Sequence, residues 1–398
     1  MGFKPRKLLD EVLGFWDSKA IHIIRGPRRS GKTTLLLHLN ELKGGTYITF
    51  EDPGEREDFL TDPIGYISRT PQPVFLDEFQ YLGEKGGQAL KRVYDKLHRK
   101  GLRLVISGSG AFDIKTNINR YLVGRAYFYQ LLPLSFEEYV NWKRPNLYTQ
   151  YLEGHKLLED ILSGKTVDPP LPSKRLEELF KDYLVFGGYP EVVLKGETKE
   201  LDSITFTTIE EDIITYFGLR ESLKVWNVSR RLASIIGNLL EYSSLGVDYR
   251  TAEHYLSILK QSYIIDLIPP FYTNKLTELT KTKKLYFVDL GFRNSLLEKY
   301  QSYDRRDDLG PLLENFVFRQ LIEKRVKYWR TKNKAEVDFI LTGDATVPIE
   351  VKSGRGRPTR SLYSFTTRYK PKTAIVVGFE PSVIIKATPI YTIPPYYF

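Results

Sequence analysis

The sequence predicts an α/β fold in which helices cover both faces of a parallel sheet. Short apolar runs alternate with helical patterns over residues 1–140, which is typical of such sheets. A glycine-rich stretch, residues 26–34, lies between an apolar run and a helical pattern. A further apolar run, residues 73–76, ends in Asp77 and Glu78, as a buried parallel strand does when it opens into a site.

Length and composition limit the kinds of protein that this chain can be. A length of 398 residues predicts two to four domains. The net charge of +10 favours an acidic partner such as nucleic acid, although a generally basic surface is the alternative. The absence of cysteine excludes disulfides, thiolate metal sites and a cysteine nucleophile. No apolar run is long enough for a signal peptide or a membrane span, so we expect a cytoplasmic protein.

The glycine-rich stretch GPRRSGKTT fits the pattern G-x-x-x-x-G-K-[ST]. Between a strand at 20–24 and a helix from 34, its backbone N–H groups would form an anion site. We expect Lys32 to reach the β- and γ-phosphates of ATP and the Thr33 hydroxyl to bind Mg²⁺. The residues expected to hold the nucleotide are Gly26, Pro27, Arg28, Arg29, Ser30, Gly31, Lys32, Thr33 and Thr34.

The carboxylates after the later strand suit the same site. Asp77 would hold Mg²⁺ through water and pair with Thr33, and Glu78 would orient or deprotonate the attacking water. A strand over 102–107 ends near Ser107 and Ser109. Either hydroxyl is a candidate sensor of the γ-phosphate, and a simple turn is the alternative.

The motifs GPRRSGKTT, VFLDEFQ, ISGSG and GRAYFYQLLPLSFEEY together resemble an AAA-type ATPase core. More narrowly, the chain resembles a large prokaryotic family of ATPases with a winged-helix module and a restriction-endonuclease-like C-terminal domain. The resemblance implies an ATPase core over 1–140, a helical lid over 141–225, a winged helix over 226–298 and the nuclease-like domain over 299–398. It also implies that Arg125 is an arginine finger for a neighbouring subunit of a homo-oligomer, with a structural salt bridge as the alternative.

The middle of the chain has two notable features. The phrase FGGYP, residues 186–190, predicts a sharp structural turn within the lid. Helices over 228–242 and 249–261, followed by two strands joined by a basic loop, are the pattern of a winged helix. If this module binds DNA, Tyr249 would open the helix in the major groove; use in protein packing is the alternative. The lysines expected to touch phosphate are Lys275, Lys281, Lys283 and Lys284.

A second constellation lies in the last hundred residues. A helix over 311–324 precedes strands over 326–330, 335–341 and 348–352. Asp338 and Glu350 fall on neighbouring strands, and Lys352 lies on the same side as Glu350 because strand side chains alternate. The set resembles the Asp…Glu-x-Lys active site of restriction-endonuclease-like nucleases, with Glu314 as the additional acidic residue.

This resemblance implies that Glu314, Asp338 and Glu350 hold Mg²⁺ or Mn²⁺, with Glu350 and Lys352 as catalytic groups. An inherited fold kept for DNA binding or assembly is the alternative. The basic loop 353–360 suits phosphate contacts.

The sequence therefore predicts an ATP-hydrolysing AAA-type ATPase that binds double-stranded or branched DNA and couples nucleotide state to a nuclease-like domain. Two alternatives remain. One is an ATP-dependent switch or scaffold that recruits a protein partner and has a silent nuclease fold. The other is a metal-dependent DNA endonuclease regulated by ATP.

Overall fold

The computed structural model describes residues 2–109, 118–272, 278, 280–343, 345–354 and 356–398. The chain divides into two compact units. Unit 1 comprises Met1–Pro133, Glu210–Leu219 and Gln261–Tyr263, and unit 2 comprises Leu134–Ile209, Arg220–Lys260 and Ile264–Phe398. The first unit boundary along the chain lies after Pro133, and the domain boundaries expected after residues 140, 225 and 298 remain predictions.

Unit 1 contains the predicted parallel sheet, with strand order β2-β3-β4-β1-β5. Helices cover both faces, because alternate residues of one strand enter two different apolar clusters: Leu76 packs in one and Phe75 in the other. The strands are β1 (Ile21–Arg25), β2 (Thr46–Thr49), β3 (Val74–Asp77), β4 (Leu104–Gly108) and β5 (Ala126–Gln130). The helices are α1 (Lys7–Gly14), α2 (Lys32–Lys43), α3 (Pro53–Thr61), α4 (Pro63–Arg69), α5 (Gly83–Leu97) and α6 (Ile118–Tyr121).

Unit 2 begins with helices, as expected for the region after the core. They are α7 (Phe136–Lys143), α8 (Pro145–Leu162), α9 (Lys174–Phe186), α10 (Pro190–Lys195), α11 (Thr198–Thr207), α12 (Ser222–Ser234) and α13 (Tyr249–Gln261). A π-helical segment, Thr208–Thr215, lies between α11 and α12 in the chain, and its residues from Glu210 onward belong to unit 1. Strands β6 (Ile265–Ile268) and β7 (Lys284–Phe287) form an antiparallel pair. None of the described helices is both long and apolar enough to span a membrane.

The C-terminal part of unit 2 is a six-stranded mixed sheet of order β12-β13-β11-β10-β9-β8. Its strands are β8 (Val326–Arg330), β9 (Glu336–Leu341), β10 (Val347–Val351), β11 (Ala374–Val377), β12 (Ser382–Ile384) and β13 (Ile390–Ile393). The helices of this part are α14 (Leu290–Leu296), α15 (Leu309–Leu321) and α16 (Arg360–Tyr369). The predicted helix–strand–strand–strand order is present.

One helix prediction is wrong. The expected helix over 228–242 is displaced, since α12 ends at Ser234. The apolar residues that follow continue the helical spacing. Gly237, however, has a φ of 73°, a left-handed conformation that is incompatible with a continuing α-helix. Leu239 instead pairs in antiparallel fashion with Lys284 of β7.

The FGGYP phrase forms a turn held by an aspartate from a distant part of unit 2. Gly187 has a φ of 69°, and a Cβ there would lie 2.3 Å from Asp289 Oδ1. The Gly188 N–H donates to Asp289 Oδ2 at 2.7 Å. Asp289 also caps α14 by accepting from the Phe292 N–H at 2.8 Å. These contacts agree with the structural interpretation of the turn.

Candidate functional site

The glycine-rich stretch forms a tight loop between β1 and α2. A Cβ on Gly26 would lie 2.1 Å from the Leu131 carbonyl oxygen, so no larger residue fits without a backbone shift. Gly31 has a φ of 98° and precedes the first turn of α2, which begins at Lys32. The unpaired N–H groups of a helix N-terminus attract anions, so this loop is suited to phosphate.

The Lys32 ammonium lies inside this loop. Its Nζ donates to the carbonyl oxygens of Gly26 at 3.2 Å and Pro27 at 2.8 Å, and the residue is 4% exposed. Burial lowers the pKa of Lys32, while the nearby Glu78 and Asp77 carboxylates oppose that shift. An ammonium held by two neutral carbonyl oxygens can exchange them for the charged oxygens of a triphosphate.

Asp77, the last residue of β3, is surrounded by donors. Its Oδ2 accepts from the Thr33 hydroxyl at 2.7 Å and from the Tyr47 hydroxyl at 2.8 Å. Its Oδ1 accepts from the Ser107 hydroxyl and from the Glu78 N–H. The pairing of Thr33 with Asp77 was expected from the sequence, whereas the contribution of Tyr47 was not.

Glu78 follows at the edge of the sheet with a left-handed backbone, φ 54°. Its carboxylate accepts from the Gln80 side-chain amide, and burial raises the pKa of Glu78 against the opposing effect of Lys32. The Gln80 side-chain oxygen Oε1 accepts from the Ser109 N–H at 3.2 Å. Of the two serine candidates, Ser107 therefore contacts Asp77 through its hydroxyl, while Ser109 joins this group through its backbone.

Arg28 of the loop is paired with an acidic segment that sequence reasoning missed. Its Nη1 donates to Glu211 Oε2 at 2.6 Å and to Asp212 Oδ1 at 3.2 Å. Both acids belong to residues 210–219, which are part of unit 1. Burial raises the pKa of Asp212 to about 6, and Arg28 and Lys32 oppose the shift.

Arg6, immediately before α1, also fixes the loop. Its guanidinium donates to the carbonyl oxygens of Ser30 and Leu132, each at 2.7 Å. Ser30 itself is fully buried, whereas Thr33 and Thr34 are exposed. Arg6 therefore fixes the buried part of the loop, while the part next to α2 is exposed. This arrangement leaves the loop N–H groups accessible to a ligand.

Arg125 lies directly before β5. Its Nε is 3.2 Å from Asp95 Oδ1, and its carbonyl oxygen accepts from the Ile21 N–H at 2.9 Å. The side chains of Arg125 and Asp95 are 34% and 46% exposed. This geometry matches the salt-bridge alternative within one chain, and the role of an arginine finger stays a prediction.

The C-terminal constellation lies in unit 2, where β9 and β10 are antiparallel neighbours. Asp338 Oδ2 accepts from the Val351 N–H at 2.7 Å, which brings Asp338 next to the strand of Glu350. Glu350 accepts from the Thr359 hydroxyl at 2.7 Å and from the Thr359 N–H at 3.1 Å. Lys352 Nζ lies 3.0 Å from Glu350 Oε1, so the two share one side as predicted.

A lysine occupies the centre of this acidic group. The Lys284 ammonium is 3.0 Å from Glu314 Oε1, 2.6 Å from Glu336 Oε1 and 3.8 Å from Asp338 Oδ1. The expectation that Lys284 touches phosphate is wrong, because the residue is 1% exposed. Lys281 and Lys283 are exposed, and Lys275 lies outside the described residues.

The predicted metal ligands of unit 2 do not meet around one open position. Glu314 contacts Lys284 and the Tyr286 hydroxyl, whereas Glu350 contacts Thr359 and Lys352. Within the described parts of the chain, no group of three or more His, Cys, Asp or Glu side chains is arranged to hold a metal ion.

Comparison with known families decides the class of unit 1. Residues 18–140 match the AAA domain family. This chain contains an AAA-type P-loop ATPase domain. Two further segments, residues 177–302 and 309–392, match two families that are each described as a domain of unknown function.

Relatives that match most of this AAA-type chain are found in archaea and bacteria. An uncharacterized protein of Methanocaldococcus jannaschii is 26% identical over 366 residues, which covers 83% of this chain and 74% of the relative. An uncharacterized protein of Haemophilus influenzae is 24% identical over 363 residues, covering 83% of this chain and 82% of the relative.

Solved structures similar to the AAA-type chain include a Walker-type ATPase of Pyrococcus abyssi, with a TM-score of 0.45 and 16% identity, covering 74% of this chain and 96% of that one. The RuvB Holliday junction branch migration motor of Thermotoga maritima has a TM-score of 0.32 and 14% identity, covering 66% and 90%. Both TM-scores lie below 0.5, so the family match over residues 18–140 carries the assignment.

Proposed function

We propose that the protein is a Mg²⁺-dependent ATPase whose nucleotide state controls binding of double-stranded or branched DNA by unit 2. The observation that carries the proposal is the grouping of Lys32, Thr33, Asp77 and Glu78 at one edge of a parallel sheet, with Thr33 and Asp77 joined at 2.7 Å. In an ATPase these side chains supply, in that order, a cation that binds phosphate, a ligand of Mg²⁺, a carboxylate that holds Mg²⁺ through water, and a general base for the attacking water.

Each residue has a definite part in this scheme. The Lys32 ammonium transfers from its two loop carbonyls to the β- and γ-phosphates. The Thr33 hydroxyl would bind Mg²⁺ and Asp77 would hold the ion through water, while the Tyr47 and Ser107 hydroxyls position the Asp77 carboxylate. Glu78 accepts the proton of the attacking water, and burial, which raises the pKa of Glu78, makes its carboxylate a stronger base.

Charge and exposure support DNA as the partner. The chain carries a net charge of +10. The start of α13 is accessible, since Tyr249 is 60% exposed and Arg250 is also exposed. Lys281 and Lys283 are exposed beside β7. Lysine and arginine contacts to phosphate give salt-dependent, sequence-independent affinity, which is the binding mode we expect.

The segment 210–219 supports coupling between ATP and unit 2. Arg28 of the phosphate loop is paired with Glu211 and Asp212 in this segment. In the chain, residues on both sides of the segment belong to unit 2. A triphosphate that attracts Arg28 would weaken these ion pairs and so act on the chain that enters unit 2.

Two further assignments belong to the proposal. Arg125 would serve a neighbouring subunit in a homo-oligomer, which requires it to leave Asp95. An ATP-dependent switch that recruits a protein partner is the second candidate, favoured by the lysine that fills the acidic group of unit 2. The same lysine speaks against the third possibility, an ATP-regulated endonuclease.

The decisive experiment measures DNA binding and ATP turnover together. Filter binding of a labelled duplex and a four-way junction across a salt series should show affinity that falls steeply with salt and changes with ATP. Turnover should rise when DNA is added. If neither DNA shows salt-sensitive binding while ATP turnover is intact, DNA is refuted as the partner and the protein-recruiting switch is favoured.

A further inference from the structure

Unit 2 contains a fully buried cation whose surroundings resemble a metal site. Lys284 belongs to β7, and its ammonium lies within 4 Å of carboxylates from α15 and β9: Glu314 at 3.0 Å, Glu336 at 2.6 Å and Asp338 at 3.8 Å. Oxygen atoms from several carboxylates around one centre are what Mg²⁺, Mn²⁺ or Ca²⁺ would require. Here the centre is an ammonium.

The neighbouring carboxylates keep the Lys284 side chain protonated. Burial alone would lower the pKa of Lys284, but the carboxylates of Glu314, Asp338 and Glu336 outweigh burial and raise it above its usual value. The three carboxylates depend on this cation, because each lies within 4 Å of it and a largely buried carboxylate is costly without a partner.

The backbone of Lys284 is held on two sides. Lys284 pairs with Ile268 of β6, and Leu239 bridges to it from the segment after α12. The Lys284 ammonium also lies 5.8 Å from the centre of the Tyr328 ring. The Lys284 side chain is therefore anchored by a backbone that is paired on both sides, and the residue is 1% exposed.

Several oxygens of the acidic group have a further partner besides the lysine. Glu314 Oε1 accepts from the Tyr286 hydroxyl at 2.5 Å, and Glu336 Oε2 lies 3.2 Å from Arg330 Nη1. Asp338 Oδ2 accepts from the Val351 N–H. A divalent ion would have to displace Lys284 to reach these oxygens, since the ammonium already lies between Glu314 and Glu336.

We propose that the Lys284 ammonium is a built-in substitute for a divalent cation, so that unit 2 binds no metal at Glu314, Glu336 and Asp338 and does not cleave phosphodiesters there. The acidic group is then a structural ion cluster that joins β7, α15 and β9. Removal of the ammonium converts it into a site for a hard divalent cation. This inference concerns unit 2 alone and is independent of ATP hydrolysis in unit 1.

The test uses Lys284→Met, which keeps the length of the side chain and removes its charge. In the full chain without nucleotide, the variant should unfold at a lower temperature than the wild type. Millimolar MnCl₂ or CaCl₂ should raise its midpoint by roughly 5 °C and leave the wild type unchanged. Electron paramagnetic resonance should find one more bound Mn²⁺ per chain in the variant, which Lys284→Met with Asp338→Asn loses.

Lys283→Met is the matched control, because Lys283 is the exposed neighbour and its loss should change neither stability nor Mn²⁺ binding. A wild-type chain that binds Mn²⁺ and loses it on Asp338→Asn would overturn the inference. So would a folded Lys284→Met that is neither bound nor stabilised by Mn²⁺. Should Lys284→Met fail to fold, the wild-type measurement still decides: no Mn²⁺ at Asp338 and no Mn²⁺-dependent DNA cleavage support the proposal, and either activity refutes it.

Discussion

Glu78→Gln should separate ATP binding from ATP hydrolysis. The substitution keeps the size of the side chain and its contact with Gln80, because a glutamine carbonyl oxygen still accepts from that amide. The Glu78 N–H to Asp77 Oδ1 bond, 3.0 Å, is made by the backbone and is unaffected. The Thr33, Tyr47 and Ser107 contacts that position Asp77 also remain. What is lost is the ability to take a proton from water.

A positioned general base contributes about 10²–10⁴ in rate, which corresponds to about 3–5 kcal/mol of activation free energy. Removing a negative charge near Lys32 should leave ATP affinity unchanged or slightly improved, because Glu78 partly neutralises that ammonium. Phosphate release and the fluorescence of a labelled ATP analogue measure the two quantities. Glu57→Gln on the exposed side of α3 is the matched control. Turnover within about threefold of the wild type would refute the role of Glu78 as the base.

Three further predictions concern the shape and charge of the same site. Arg6→Ala removes two hydrogen bonds from a charged donor to Ser30 and Leu132. The free energy of unfolding, measured in urea, should therefore fall by roughly 3 kcal/mol, and ATP should bind more weakly in a ligand titration. The control Lys19→Ala should have neither effect. Gly26→Ala places a Cβ 2.1 Å from the Leu131 carbonyl oxygen, so the unfolding midpoint and ATP affinity should both fall, whereas Gly14→Ala, with nothing within 4 Å of its added Cβ, should be neutral in both assays. Burial raises the pKa of Asp212 in the folded state to about 6, above its usual value of 3.8. Between these values the folded protein binds a proton that the unfolded chain does not, so stability should rise as pH falls from 7 through 6 towards 4. Urea midpoints should show this gain in the wild type and less of it in Asp212→Asn, and equal pH profiles would contradict the assignment.

Local patterns predicted much of unit 1 because its features are close in sequence. A strand, a glycine turn and a helix follow one another within residues 21–43, so spacing alone indicates a phosphate site. The carboxylates of Asp77 and Glu78 end a buried strand, and parallel strands bring their carboxyl ends to one edge. Tyr47 lies in the neighbouring strand β2. Because a tyrosine in a strand usually indicates a packing role, the sequence does not predict that its hydroxyl contacts Asp77.

Contacts between distant residues could not be predicted in this way. Arg28 and Glu211 are separated by 183 positions, and an acidic pair in a helical region is ordinarily a solvated face. Lys284 is expected to touch phosphate because it follows Lys281 and Lys283, yet its side chain turns inward from the first residue of β7 and is buried. The helix expected over 228–242 failed because apolar spacing continues past Ser234, while the backbone conformation of Gly237 is visible only in the structure.

The measurement that tests the central claim most directly is steady-state phosphate release from ATP by the full chain in Mg²⁺, compared with Lys32→Ala. The wild type should release phosphate and lose the activity when Mg²⁺ is chelated. Lys32→Ala should bind ATP weakly and hydrolyse it at least about a hundredfold more slowly, because the loop loses its buried ammonium. Equal turnover by the two proteins, or no Mg²⁺-dependent hydrolysis by a folded wild type, would contradict the account.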